Sequence, residues 1–213
     1  MDTRRNNIIK LLIIGALFVS IIGYFFYSHG TRRGIAGIGE PIQTEDVGNE
    51  QITVSGYNVL INYEYAYDIS ALVVSTHNYY GLGLGNKLAP RDFALAWGPV
   101  AEYNDRIDFN WGQSGRWYRW RSKSYEDILP VGGEAGVNTC SANNHIMPAN
   151  NTVRRKIKKV RRGDYIRIKG HLANVYASNS KGDSFQWNSS TSREDTGDGA
   201  CELIYVTDIQ WLD

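Results

Sequence analysis

His145 is the residue best suited by type to move a proton, because an imidazole changes charge near neutral pH. It lies in Ser141-Ala-Asn-Asn-His-Ile-Met-Pro148, a few residues after Cys140, and that thiol or the Ser141 hydroxyl is a candidate nucleophile for it to activate. The spacing matches no nucleophile elbow or metal pattern, so a hydrogen-bonded structural histidine is the competing reading. Asp195 stands in Asp195-Thr-Gly197, the tripeptide that carries the carboxylate of aspartic proteases. That chemistry needs two aspartates sharing one proton. Here the tripeptide occurs once, behind Arg193 and Glu194 instead of an apolar strand, and reads as a turn built on Gly197 and Gly199. Glu194, Asp195, Asp198 and Glu202 offer hard oxygens of the kind calcium takes, at a spacing that departs from the EF-hand loop. Gly81-Leu-Gly-Leu-Gly85 imitates part of a dinucleotide loop but lacks its full spacing and reads as a loop. No cofactor or metal is expected, and His145, Asp195 and Cys140 stand as weak catalytic candidates.

Two cationic clusters suggest binding instead. Arg116-Trp-Tyr-Arg-Trp-Arg121 is the densest aromatic and basic run. In a strand, successive side chains alternate, so Arg116, Tyr118 and Trp120 would share one face and Trp117, Arg119 and Arg121 the other. The second cluster is Arg154, Arg155, Lys156, Lys158, Lys159, Arg161 and Arg162. Like charges this dense repel one another unless an anion, a bilayer or plain solvation screens them. Val153, Ile157 and Val160 recur among them at i, i+4 and i+7, which predicts a short helix over 152–160 capped by Asn150 or Asn151. The binding residues expected are Arg116, Trp117, Tyr118, Arg119, Trp120 and Arg121 on a strand, with Arg154, Lys158, Lys159 and Arg162 on the helix.

The elements that must position these groups are mostly strands. Aromatics at 12% and 22 glycines against 5 prolines suit many short strands and tight turns. Ile52 to Ser75, Gly163 to Leu172 and Leu203 to Trp211 are β-branched, aromatic or alternating. A small helix among such strands predicts a mainly β (α+β) domain, a small barrel or OB-like sheet. A formal net charge of +1 excludes a protein that coats polyanions over its whole surface, although not a local basic patch.

Ahead of that domain, Leu11 to Tyr27 carries no charge and is apolar all round, with aromatics gathered at its end. This predicts an uncleaved signal-anchor that spans a membrane once, since no small-residue cleavage site follows. Arg4, Arg5 and Lys10 against Arg32 and Arg33 lean towards a cytoplasmic N-terminus. The expected organisation is 1–27 cytoplasmic tip and anchor, 28–50 flexible tether, 51–213 extracytoplasmic domain. In an exported domain Cys140 and Cys201 are expected to pair as a disulfide.

The ordered succession Asp92-Phe-Ala-Leu-Ala-Trp-Gly-Pro99, Arg116-Trp-Tyr-Arg-Trp120, Ser141-Ala-Asn-Asn-His-Ile-Met-Pro-Ala-Asn150 and Ser189-Ser-Thr-Ser-Arg-Glu-Asp-Thr-Gly-Asp-Gly-Ala-Cys-Glu202 resembles a family of uncharacterised bacterial membrane-anchored proteins. The resemblance implies a protein of the bacterial inner membrane whose domain faces the periplasm, and it assigns no activity or site. The expected function is a non-enzymatic envelope module that binds a partner protein, a glycan or anionic lipid, an exported location disfavouring nucleic acid. A membrane-anchored hydrolase using His145 with Asp195 or Cys140 is the alternative.

Overall fold

The structure, a computed structural model, describes residues 2–28, 32–192 and 201–212, with side chains of the first segment described at 7–21 and 23. It divides into two compact units between Arg32 and Arg33.

The first unit is one helix, Asp2–Ser28 (α1), of 27 residues, which at 1.5 Å per residue is about 40 Å long. Leu11, Leu12, Ile14, Leu17, Phe18 and Ile21 are all exposed, so apolar side chains surround it. Among the described residues, no helix is long and apolar enough to cross a membrane. The aromatic end of the expected span, Tyr24 to Tyr27, has side chains outside the described residues.

The second unit is mainly β. Its strands are Ile42–Val54 (β1), Tyr57–Asn78 (β2), Arg91–Ala96 (β3), Gly112–Ser114 (β4), Trp117–Arg119 (β5), Ser141–Pro148 (β6), Tyr165–Asn179 (β7), Ser184–Trp187 (β8) and Glu202–Trp211 (β9). Four short helices, Leu84–Leu88 (α2), Gly98–Glu102 (α3), Gly133–Thr139 (α4) and Asn151–Lys159 (α5), sit in the connections.

The large sheet runs β1-β2-β3-β6-β9-β7-β8, and β7 also pairs with β2, so β2, β3, β6, β9 and β7 close into a ring. β6 and β9 are parallel; every other pairing among the described residues is antiparallel. The length of two strands makes this possible. β2 has 22 residues and β7 has 15, and they pair from Tyr57↔Asn179 to Leu72↔Tyr165 with one register shift between Tyr63 and Tyr65. On its other edge β2 carries β1 as far as Asp68 and β3 from Leu72 onwards. β7 likewise carries β9 over Ile166–Leu172 and β8 over Val175–Ser178. One end of each long strand therefore builds the ring, and the other end builds a four-stranded extension, β1-β2-β7-β8.

Two apolar clusters follow from that division. The larger gathers Ile69, Leu72, Phe93, Leu95, Ile146, Ile166, Ile168 and Ile204 from the ring, with Val153, Ile157 and Val160 of the helix region laid onto it. The smaller joins Val59, Ile61, Val175 and Ala177 of the extension to Leu84 and Leu88 of α2 and Met147, Leu203 and Tyr205 of the ring. The helix α5 forms as its periodicity predicts: the Asn150 side chain accepts from the N–H groups of Thr152 and Val153. Arg91 closes its far end by donating to the carbonyls of Ile157 and Lys158, at 2.8 and 3.0 Å.

Three expectations need correcting. The segment 28–50 is not a tether throughout, and the domain does not begin near Gln51. Ile38 is buried, Ile35 donates to the Ala101 carbonyl at 2.9 Å, and β1 pairs with β2 from Ile42. The charges of 45–50 hid this strand, because β1 is an edge that buries almost nothing. A five-residue helix follows the Gly81–Gly85 run where only a loop was expected. Residues Arg116 to Arg121 do not form one strand: Arg116 sits in a turn and β5 is confined to Trp117–Arg119.

Gly170 is where the ring depends on having no side chain. The register of β7 with β9 shifts between Lys169 and Gly170, and a Cβ there would lie 2.2 Å from the Tyr205 carbonyl oxygen. Gly170→Ala is expected to destabilise the domain by about 1–3 kcal/mol, since backbone must move to relieve the clash. Gly83→Ala, in open space and at a negative φ, is the comparison in denaturant unfolding; equal loss in the two would show that the close approach is not what matters.

Candidate binding cleft

Asp92 is the second residue of β3, a strand buried at every position, and it is 0% exposed. The pairing Asp92↔His145 sets its carboxylate beside the imidazole on β6. A carboxylate in such a place must be paired, because desolvating it alone costs far more than a domain's net stability allows.

The partner is Arg116. The closing pair Ser114↔Trp117 leaves Gly115 and Arg116 as a two-residue turn with φ of +60° and +73°, the type I′ arrangement of tight hairpins. Positive φ costs an arginine about 1–2 kcal/mol, so its side chain must hold it there. Nη1 donates to Asp92 Oδ1 at 2.8 Å and to the Ala89 carbonyl at 2.9 Å. Nη2 donates to Asn86 Oδ1 at 2.8 Å and to the Gly85 carbonyl at 3.3 Å. The guanidinium lies 3.6 Å from the Tyr79 ring centre and 5.2 Å from that of Trp187. Tyr79 accepts the Arg116 backbone N–H at 2.9 Å, and Asn143 donates to the Arg116 carbonyl at 2.9 Å. Burial, then the charge of Asp92, push the Tyr79 phenol up to about 12.

His145 Nδ1 lies 3.0 Å from Asp92 Oδ2, within pairing distance. Among the described residues neither atom has a hydrogen-bond partner of good geometry, so the approach is not a formed hydrogen bond. The imidazole packs against Trp187, ring centres 4.7 Å apart. Arg116, Trp117, His145, Gln186, Trp187, Asn188 and Cys201 together line a cleft of about 520 Å³.

The outcome for the sequence-derived residues is mixed. The alternation holds: Arg116, Tyr118 and Trp120 turn inward, while Trp117, Arg119 and Arg121 are exposed. Inward residues are engaged within the protein. The Tyr118 hydroxyl donates to the Ser141 carbonyl at 3.2 Å, and the Trp120 indole donates to Asn138 at 3.1 Å. With all four Nη hydrogens committed within the protein, Arg116 pins the turn while still lining the cleft. On α5, Arg154 reaches the Lys87 carbonyl at 3.5 Å and Lys156 pairs with Asp208 at 2.6 Å. Lys158 and Lys159 are exposed, and Arg162 is half-buried.

Cys140 and Cys201 are not joined by a disulfide. Strand register explains this. Asn144 faces Glu202 across the parallel pair β6–β9, so Cys201 lies beside Asn143, three positions past Cys140. At ~3.3 Å per residue that is about 10 Å along the strand, beyond disulfide reach. Cys140 is likewise about 16 Å down the strand from His145, which removes it as the nucleophile of that histidine; burial pushes its thiol up. Asp195, with Arg193, Glu194 and Asp198, lies outside the described residues. Among the described residues, no three His, Cys, Asp or Glu side chains gather as a metal site.

Asp92, Tyr79, Gln186, Trp187 and Asn188 escaped the sequence reading. The signal for Asp92 was an Arg-Asp pair heading the apolar run Phe93 to Trp97. The cleft is lined by two indoles, His145 and the Gln186, Asn188 and Cys201 side chains; Gln186 Nε2 donates to Asn188 Oδ1 at 3.2 Å and the Cys201 thiol donates to the Arg116 carbonyl at 3.7 Å, which leaves the indole faces and the remaining amide positions for a ligand. Comparison of the chain with models of protein families, with curated proteins and with solved structures gives no match in any of the three.

Arg116→Ala is expected to cost about 3–5 kcal/mol in denaturant unfolding, because it leaves Asp92 charged and buried. Arg116→Gly should lose about 1 kcal/mol less, since glycine suits positive φ. Exposed Arg119→Ala should stay within about 0.5 kcal/mol of the parent. An Arg116→Ala protein as stable as the Arg119→Ala one would show that Asp92 is not held by this pair.

Proposed function

We propose that this chain is a single-pass protein of the bacterial inner membrane, N-terminus in the cytoplasm, whose periplasmic domain is an OB-type barrel that binds a neutral glycan in the cleft around His145 and Trp187. Support for the barrel reading is the closed ring of five strands, its one parallel pair between β6 and β9, and a helix between β6 and β7. Support for the anchor is the uncharged run Leu11 to Tyr27 within a helix whose described apolar side chains are exposed.

The observation that carries the binding reading is the position of the cleft. OB-type barrels take ligands on their second and third strands and on the loop between the fourth and fifth. In the ring, β6 supplies His145 and the β7–β9 connection supplies Trp187, Asn188 and Cys201, while β3 holds the buried Asp92 that pins Arg116 to the cleft. The chemistry favours a neutral polyhydroxyl ligand over an anion or a partner protein: Arg116 is neutralised by Asp92, while aromatic faces and amides remain available. Lys158 and Lys159, which form no ion pair among the described residues, keep a separate role: anionic headgroups near them would add about 1 kcal/mol each.

A hydrolase is the second reading, and one observation favours it: a histidine held beside a buried aspartate, lining a cleft with a thiol. The misaligned Nδ1 contact argues for a binding role, because a catalytic base is oriented by a formed hydrogen bond.

Two measurements test this. Full-length protein should stay in the membrane fraction after an alkaline carbonate wash; release into the wash would remove the anchor. In detergent micelles, a neutral disaccharide should quench the tryptophan fluorescence, and Trp187→Ala should weaken binding about thirtyfold, the ~2 kcal/mol of a central aromatic contact. Cleavage of the saccharide, abolished by His145→Ala, would replace the binding reading with the hydrolase.

A further inference from the structure

The four-stranded extension has a second concavity, of about 770 Å³, formed where β1, β2, β7 and β8 lie side by side. Strand register assigns the side chains that face it. Gln51↔Leu60, Leu60↔Tyr176 and Tyr176↔Gln186 are paired positions, so these four form one row across the sheet. Thr53↔Asn58, Asn58↔Ser178 and Ser178↔Ser184 form the next row, two residues on and therefore on the same face. The intervening row, Ile52, Val59, Ala177 and Phe185, points the other way, into or against the smaller apolar cluster.

None of the eight outward side chains is charged, in a chain where 21% of residues are. That departs from the way sheet surfaces near free edges are normally protected, which is with lysines and other charges. The hydroxyls and amides of Gln51, Thr53, Asn58, Ser178 and Ser184 make no side-chain hydrogen bond among the described residues. They surround one exposed ring, Tyr176, which is 39% accessible. An acidic or basic partner would find no complementary charge here. A neutral saccharide would find donors and acceptors for its hydroxyls and an aromatic face for its ring.

Gln186 lines this groove and also the cleft at Trp187; since neighbouring side chains of a strand point to opposite faces, the two concavities adjoin around the outer edge of β8, the last strand of the sheet. We infer that the groove is an extension of the saccharide site and that the ligand is an oligosaccharide chain running from the Trp187 cleft over β8 onto the face around Tyr176. This rests on the glycan-binding reading of the cleft. It makes recognition cooperative along the chain: a short saccharide fills one concavity, and a longer one engages both through one binding event.

The test is calorimetric titration of the full-length protein in detergent micelles with neutral chito-oligosaccharides, from the disaccharide to the hexasaccharide. Affinity is expected to rise about tenfold or more with length. Tyr176→Ala combined with Asn58→Ala should bring the hexasaccharide down to the affinity of the disaccharide, while Tyr176→Phe, which keeps the ring, should retain most of the gain. Both substituted positions face outward, and an unchanged unfolding midpoint verifies that the fold is intact. Disaccharide binding that depends on Trp187 but gains nothing with length, or a length gain unaffected by the double variant, overturns the groove and leaves the cleft standing. No binding at any length overturns both. Groove-dependent binding of an anionic polysaccharide in place of the neutral series overturns the assignment of ligand class.

Discussion

A single buried carboxylate organises this domain. Asp92 is sealed from solvent near the start of the ring's second strand, where an ionised group survives only against an opposite charge. Its partner arrives from a hairpin tip, and Arg116 can reach it only if the turn adopts a conformation unfavourable for an arginine. The same guanidinium then fastens α2 through the Gly85 and Ala89 carbonyls and Asn86. One charge pair thus joins a strand, a hairpin and a helix. The wall of the cleft is the by-product: Trp187 and His145 pack against the pair from outside.

This arrangement also decides what the cleft can recognise. A lone arginine beside tryptophans would suggest phosphate or carboxylate recognition, and the sequence supports that guess. The hydrogen bonds argue against it, because every Nη position is already taken by the protein. On the binding reading proposed above, discrimination falls to neutral donors, acceptors and ring faces, which select by shape and hydroxyl geometry more than by charge.

The sequence was informative wherever burial imposes a period. Val153, Ile157 and Val160 marked the face of α5, and Asn150 its start. Ile166 and Ile168 marked the buried face of β7, and Arg116 to Arg121 alternated inside and out as their positions require. It failed where an element buries little or where meaning depends on distant pairing. β1 is an edge strand carrying Glu45, Asp46 and Glu50, so it has no apolar stripe. Asp92 and His145 are separated by more than fifty positions in the chain, and only the β3–β6 register makes them neighbours. The cysteine pairing failed for the same reason: both residues do flank adjacent strands, but a parallel register offsets them along the strand axis.

The long pairing of β2 with β7 has a consequence for how the chain reaches its fold. Tyr57 must find Asn179, and the ring cannot close until β9 has also been made. Contacts so distant in sequence carry a large loop-closure cost before they return any stability, which makes folding slow and late. During synthesis the first long strand has no partner on that edge until most of the chain has emerged. Under the proposed periplasmic location, the domain would have to cross a membrane unfolded, and such a delay suits that passage. The cost is that β2, 22 residues of strand-forming sequence, stays exposed to misassociation until its partner arrives.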